Sequence, residues 1–295
     1  MKRKTGILMG FATLACLALS PALFAQQGQS QQQGQQSGQQ SQPPSLLHPA
    51  GQQAQQAPAQ QAPKVDPKEE ADYKALFDMM QSPTPDLDKE IQSSEDFLKN
   101  FPQSHYRAWV ASRLTNLYFQ KRDITKMLSA STLALQLNPN DVSVLVPVGW
   151  VLPRVDANAP DFPDRLARAE QYEKHALELL PTLPKPAQVT DQQFAQSKAD
   201  AVSQAHSGLG LVYFREGKYQ QSSDELQQAT QVTTDSDPTD FFILGLDLDQ
   251  LQKFADASKA YDSCAALTST LQDTCKRNGA AAKTKAGSQP APRKP

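Results

Sequence analysis

The chain has 295 residues, a formal net charge of −2 and a pI near 6.1, with charged residues at 20% and aromatic residues at 7%. Such a balance carries no basic footprint for nucleic acid and none for an anionic membrane. Three cysteines and four histidines fall at no spacing that suits a metal, so neither a metal nor another cofactor is expected.

In chain order, Lys2, Arg3 and Lys4 precede an apolar run from Thr5 to Leu19, and a helix-ending Pro21 and small residues follow up to Ala25. These three parts read as an export signal over residues 1–25, cut after Ala25. A permanent anchor is the alternative. The run falls short of the ~20 apolar residues of a span, however, and no basic stop-transfer run follows it. Thr13-Leu14-Ala15-Cys16 also resembles the site at which bacterial lipoproteins are cut and acylated, with Thr13 where Leu is usual; in that case Cys16 carries a lipid anchor.

Residues 26–65 form the next segment. Gln26 to Ala62 holds 17 glutamines, and no Asp, Glu, Lys or Arg occurs between Lys4 and Lys64. Its apolar surface is too small to offset the entropy of ordering, so a flexible Gln/Pro-rich tether is expected. Self-association is the alternative for a tract so rich in glutamine. Folding signals begin at Asp66-Pro67-Lys68-Glu69-Glu70, where Asp caps and Pro and acids suit a first helical turn. From there apolar residues recur at helical spacing and no strand alternation of useful length appears. The expected folded domain is 66–278, with a fraying tail over 279–295.

Within that domain the sequence repeats. Leu209-Gly210, Tyr213, Tyr219, Ser222, Leu226 and Ala229 are followed 35 residues later by Leu244-Gly245, Leu248, Phe254, Ala257, Tyr261 and Cys264. Earlier copies hold Leu114, Tyr118, Ile124, Met127, Ala134 and Pro139, and then Val148-Gly149, Ala169, Ala176-Leu177 and Pro181. A weaker first copy ends in Phe97-Leu98-Lys99-Asn100-Phe101-Pro102. Small residues at these places let antiparallel helices approach closely, and one helical hairpin cannot bury its apolar face alone.

The order of large, aromatic and small residues resembles the tetratricopeptide-repeat (TPR) family over roughly residues 67–280. That resemblance implies an all-α, right-handed superhelical solenoid of about five antiparallel helical hairpins with a C-terminal capping helix. The spacing departs from the family unit of about 34 residues. Pro139 to Pro181 spans 42 and Ala176 to Ala229 spans 53, with the extra length at Pro153–Pro163 and Pro181–Pro186 and in a longer helix from Asp191. Pro147 is expected to kink the first helix of the third repeat or delay its start.

Catalytic constellations are missing. Gly208-x-Gly210 sits inside a repeat helix and reads as packing, and His206 and Ser207 are adjacent on a helix, so they point to different faces. Asp247-x-Asp249 reads as solvated surface. Asp235 to Asp240 reads as helix capping, with calcium coordination the alternative. The chain is therefore expected not to be an enzyme.

Carried over by register, the residues lining the concave groove are Trp109, Asn116 and Phe119; Val146 and Trp150; Leu211, Phe214 and Arg215; and Phe242 and Leu246. Each has packing between hairpins as its alternative role. Together they imply an apolar groove for a peptide or helix of a partner protein in the bacterial envelope, most naturally the periplasm. An accessory role in binding peptidoglycan or exported polysaccharide is the competing reading. In the same register Cys264 faces inward and Cys275 begins the capping turn, so export makes a disulfide between them the expectation, with two buried free thiols the alternative.

Overall fold

A computed structural model describes residues 66–186, 189–232 and 237–288. The export signal, Cys16 and the whole tether over 26–65 lie outside the described residues, as do 289–295. Eleven α-helices and no strand occur among the described residues. They are α1 (Pro67–Met80), α2 (Leu87–Asn100), α3 (Arg107–Gln120), α4 (Ile124–Leu137), α5 (Val142–Val151), α6 (Phe162–Leu179), α7 (Asp191–Arg215), α8 (Tyr219–Val232), α9 (Pro238–Gln250), α10 (Phe254–Ala266) and α11 (Gln272–Ser288). Short 3₁₀ turns, Leu152–Arg154 and Leu180–Thr182, follow α5 and α6.

Local sequence explains the helix starts. The side chains of Asp66, Asp86, Asp123, Asp141 and Asp237 each accept from a backbone N–H in the first turn of the helix that follows. Thr190 and Gln193 close a reciprocal capping box at α7. Asp237 thus carries the capping role read from the Asp235–Asp240 stretch, while Asp235 and Ser236 lie outside the described residues. Pro147 does not delay α5. The helix starts at Val142 and carries the proline at its sixth position, fully packed among buried valines.

Successive helices pair as five hairpins, α1–α2 through α9–α10, and α11 closes the last one. The first helices α3, α5, α7 and α9 stand side by side along one face, and each second helix also packs on the next first helix. The folded part ends later than expected. Helix α11 runs to Ser288, ten residues past the expected boundary at 278, because Gly279 and Ala282 are buried against α10. Tyr261 of α10 supplies much of that contact. Cys264 and Cys275 are joined by a disulfide with Cα atoms 5.9 Å apart, tying the end of α10 to the first turn of α11.

Glycines set the close contacts inside the hairpins. A Cβ on Gly210 would meet Leu226 Cγ at 2.5 Å, and one on Gly245 would meet Tyr261 Cε1 at 2.5 Å. In both hairpins a large side chain of the second helix is seated directly on the backbone of the first. Sealing Leu226 this way stabilises by about 1.5–3 kcal/mol. The third hairpin has the same glycine, Gly149, but the side chain on it is Glu173, whose Cδ would lie 2.6 Å from a Cβ there.

Candidate functional site

Along the side-by-side first helices, aromatic side chains bridge hairpin to hairpin. Tyr73 of α1 stacks on Tyr106 at 3.7 Å between centroids, and Trp109 meets Tyr73 edge-on at 5.2 Å. Trp109 is therefore part of the contact between the first two hairpins. Asn116 turns back on its own helix, its Nδ2 donating to the Ser112 carbonyl at 3.1 Å. Phe119 of α3 meets Trp150 of α5 edge-on at 6.1 Å. Phe214, Phe242 and Leu246 are half-buried on the fourth and fifth hairpins, and Arg215 is exposed.

Two of the expected groove residues are core instead. Val146 is 2% exposed, packed with Val142, Leu145, Ala176 and Ala205. Leu211 is 4% exposed, packed with Leu226, Ile243 and Leu244. Register alone put them on the face. They lie where neighbouring first helices touch, so the adjoining hairpin covers them.

The most developed polar arrangement on this face joins α5, α7 and α9. Ser207 of α7 is its hub: its hydroxyl accepts from Trp150 Nε1 at 3.2 Å and from Arg154 Nη2 at 3.0 Å, and donates to Asp240 Oδ1 at 2.7 Å. Arg154 also donates through Nη1 to the Trp150 carbonyl at 2.7 Å, and its guanidinium lies over the indole at 3.8 Å from the centroid. The Arg154–Asp240 ion pair is loose, at 3.9 Å. Trp150 is thus fixed at both its ring face and its N–H while the residue stays only half-buried. Burial lowers the Arg154 pKa, opposed by Asp240, Asp237 and Glu173. Burial, reinforced by the Asp237 carboxylate, pushes Asp240 up to about 7 against the pull of Arg154 and Ser207.

Sequence register picks out Trp150 here but misses Arg154, Ser207 and Asp240. Arg154 falls in the inserted stretch after the helix, where repeat register gives no guidance. Ser207 drew notice only as the neighbour of His206. The two do face apart: His206 Nδ1 contacts Glu225 of α8 at 2.6 Å, while Ser207 points to α5 and α9. Asp247, read as solvated, is 0% exposed. Its Oδ2 accepts from Ser222 Oγ at 2.5 Å, and burial pushes its carboxyl up to about 7.

On the opposite side, α4 and α6 leave a cleft of about 700 Å³ with Leu145, Val148 and Leu152 at its floor. Two side chains of its rim are engaged within the chain: Lys174 with Glu170 at 2.7 Å, and His175 with Asn140 at 2.7 Å. No group of three or more His, Cys, Asp or Glu side chains is placed to hold a metal among the described residues. Among these residues, too, no helix is long and apolar enough to cross a membrane.

No protein-family profile matches the sequence, and no curated protein matches it. Solved structures do match the fold. PilW, described as a widely conserved type IV pilus biogenesis factor, is similar with a TM-score of 0.50 at 17% identity, over 76% of this chain and 89% of that one. The fold is the tetratricopeptide-repeat solenoid. TTC0263, a thermophilic TPR protein of Thermus thermophilus, gives a TM-score of 0.42 at 15% identity, over 73% of this chain and 99% of that one. The TPR domain of P58(IPK) gives 0.30 at 12% identity, over 75% and 65%.

Proposed function

We propose that this TPR chain is a non-enzymatic scaffold of the bacterial cell envelope, holding a partner protein along the face formed by α3, α5, α7 and α9. The observation that carries the reading is the fixed, half-buried indole of Trp150, flanked by Phe119 and backed by the Arg154–Ser207–Asp240 bonds. A large aromatic immobilised before binding loses little entropy when a partner arrives, which is how a few residues come to dominate an interface. Phe214, Arg215, Phe242 and Leu246 extend the face toward the C-terminal end. The export signal expected over residues 1–25 supports the envelope assignment. A role in pilus assembly, such as PilW's description carries, is one task a scaffold in that place can serve.

The test is capture of partners from envelope extract by the mature protein and by Trp150→Ala. Capture, measured where both proteins are fully folded, should weaken in the variant by more than its loss of stability accounts for. Undiminished capture would remove Trp150 from the interface. Capture that disappears when the extract is treated with muramidase would move the reading to peptidoglycan.

A further inference from the structure

Glu173 is 0% exposed, and both its carboxyl oxygens are buried without a hydrogen-bond partner. It fits because two helices give way: a Cβ on Gly149 of α5 would lie 2.6 Å from its Cδ, and one on Gly208 of α7 would lie 2.3 Å from its Oε1. The equivalent contacts in the next two hairpins are filled by Leu226 and Tyr261. An apolar side chain would serve packing alone. A carboxyl in that slot adds a group whose charge state the slot must accommodate.

We infer that Glu173 is a proton-operated joint beneath the Trp150 face: protonated, it leaves Arg154 on Ser207 and Trp150, and ionised, it draws the guanidinium away from them. This regulation rests on the reading of that face as the partner site. The charged surroundings favour it. From the turn after α5, Arg154 is the cation acting on Glu173; α7 presents Gly208 to it and Arg215 to Arg154; Asp237, which caps α9, and Asp240 within it act on Arg154. On its own helix, Lys174 is turned to Glu170 and Tyr213. Desolvation raises the Glu173 pKa well above the usual carboxylate range, with Arg154 opposing. Proton loss therefore leaves an anion with no donor in its slot, and Arg154 is held by a carbonyl, a shared hydroxyl and a loose ion pair.

The chain has two tryptophans, so Trp109→Phe leaves Trp150 as the sole indole reporter. Its emission, followed against pH without any partner, should include a step above the usual carboxylate range that Glu173→Gln removes and Asp240→Asn leaves. A Glu173→Gln curve superposing on that of the Trp109→Phe parent would overturn the joint. Glu173→Leu, which copies the fourth hairpin, covers the case of a glutamine variant that folds poorly and should lack the step too. Capture of the partner should weaken about five-fold or more across the step in the parent and stay flat in Glu173→Gln. An emission step with no change in capture would leave the joint standing and overturn the assignment of the face.

Discussion

In the fourth and fifth hairpins, an apolar side chain of the second helix sits on a glycine sixteen residues earlier: Leu226 on Gly210, Tyr261 on Gly245. In the third hairpin the partner of Gly149 is Glu173, twenty-four residues on, because the stretch after α5 intervenes. The steric relation is the same and the chemistry is opposite. A repeat can keep the shape of its contact while exchanging a permanent apolar seal for a titratable one. Solenoid stability is a sum of intrinsic and nearest-neighbour terms, so such an exchange acts locally. Here it acts on the hairpin that carries Trp150 and Arg154.

Exchanging the two residues should give the largest effect. Leu226→Glu loses a buried leucine and leaves an unpaired carboxyl over Gly210, and should destabilise by about 4 kcal/mol or more in denaturant unfolding. The reverse change, Glu173→Leu, should stabilise by about 1–2 kcal/mol, since it removes a buried group with no partner. The gain should grow with pH. A carboxyl whose pKa is raised on folding contributes fully below the unfolded value, and its contribution is lost as pH rises through the folded value. Asp247, pushed up to about 7 by burial with no pull from Arg154, titrates in parent and variant alike and cancels from the difference. Making the comparison in an Asp240→Asn background removes the titration that Arg154 couples to Glu173. A gain independent of pH would mean Glu173 has no raised pKa. A loss would mean its slot does not accept leucine.

The repeat glycines were legible in the sequence because Gly210 and Gly245 stand at one spacing with their neighbours in register. Glu173 was hidden by the inserted Pro153–Pro163 stretch, which shifts it eight residues out of that register. Setting the insertion aside would have aligned it with Leu226 and Tyr261 and raised the question of a carboxyl at a core position. Val146 and Leu211 failed for another reason. Helical register gives a direction around one helix, but the neighbouring first helix decides whether that direction is solvent. The cap was readable as far as Cys275, whereas Gly279 and Ala282 looked like tail composition and are core because Tyr261 and Asp262 offer them a surface.

The C-terminal end sharpens the comparison differently, because there the last hairpin is closed by a covalent bond as well as by apolar contact. Reducing Cys264–Cys275 opens an 11-residue separation, so a loss of about 2–3 kcal/mol is expected. The loss should appear first as proteolysis within α11. Denatured, export-purified protein should give no free thiol on titration. Two free thiols per chain would remove the bond from the native molecule.

The smallest effect belongs to the turns. Three hairpins turn through one residue in the left-handed region: Arg122 (φ 60°) after α3, Gly217 (φ 74°) after α7 and Gln252 (φ 59°) after α9. The bonds around them are alike, Asp123 N to Tyr118 O at 3.0 Å, Lys218 N to Tyr213 O at 2.9 Å and Lys253 N to Leu248 O at 2.8 Å. The third hairpin lacks this turn and uses a 3₁₀ segment with its inserted stretch. A side chain at such a position costs about 1 kcal/mol relative to glycine, while glycine costs unfolded-state entropy in return. Gly217→Ala should therefore destabilise by about 1 kcal/mol, and since a Cβ there would touch nothing within 4 Å, the loss is conformational. Arg122→Gly and Gln252→Gly should gain only about 0.5 kcal/mol each, because both residues have further interactions of their own to lose. Thermal unfolding of the three variants separates the terms. If Arg122→Gly or Gln252→Gly destabilises, the interactions lost outweigh the backbone strain, and what the regular turns share is a bonding pattern rather than a demand for glycine.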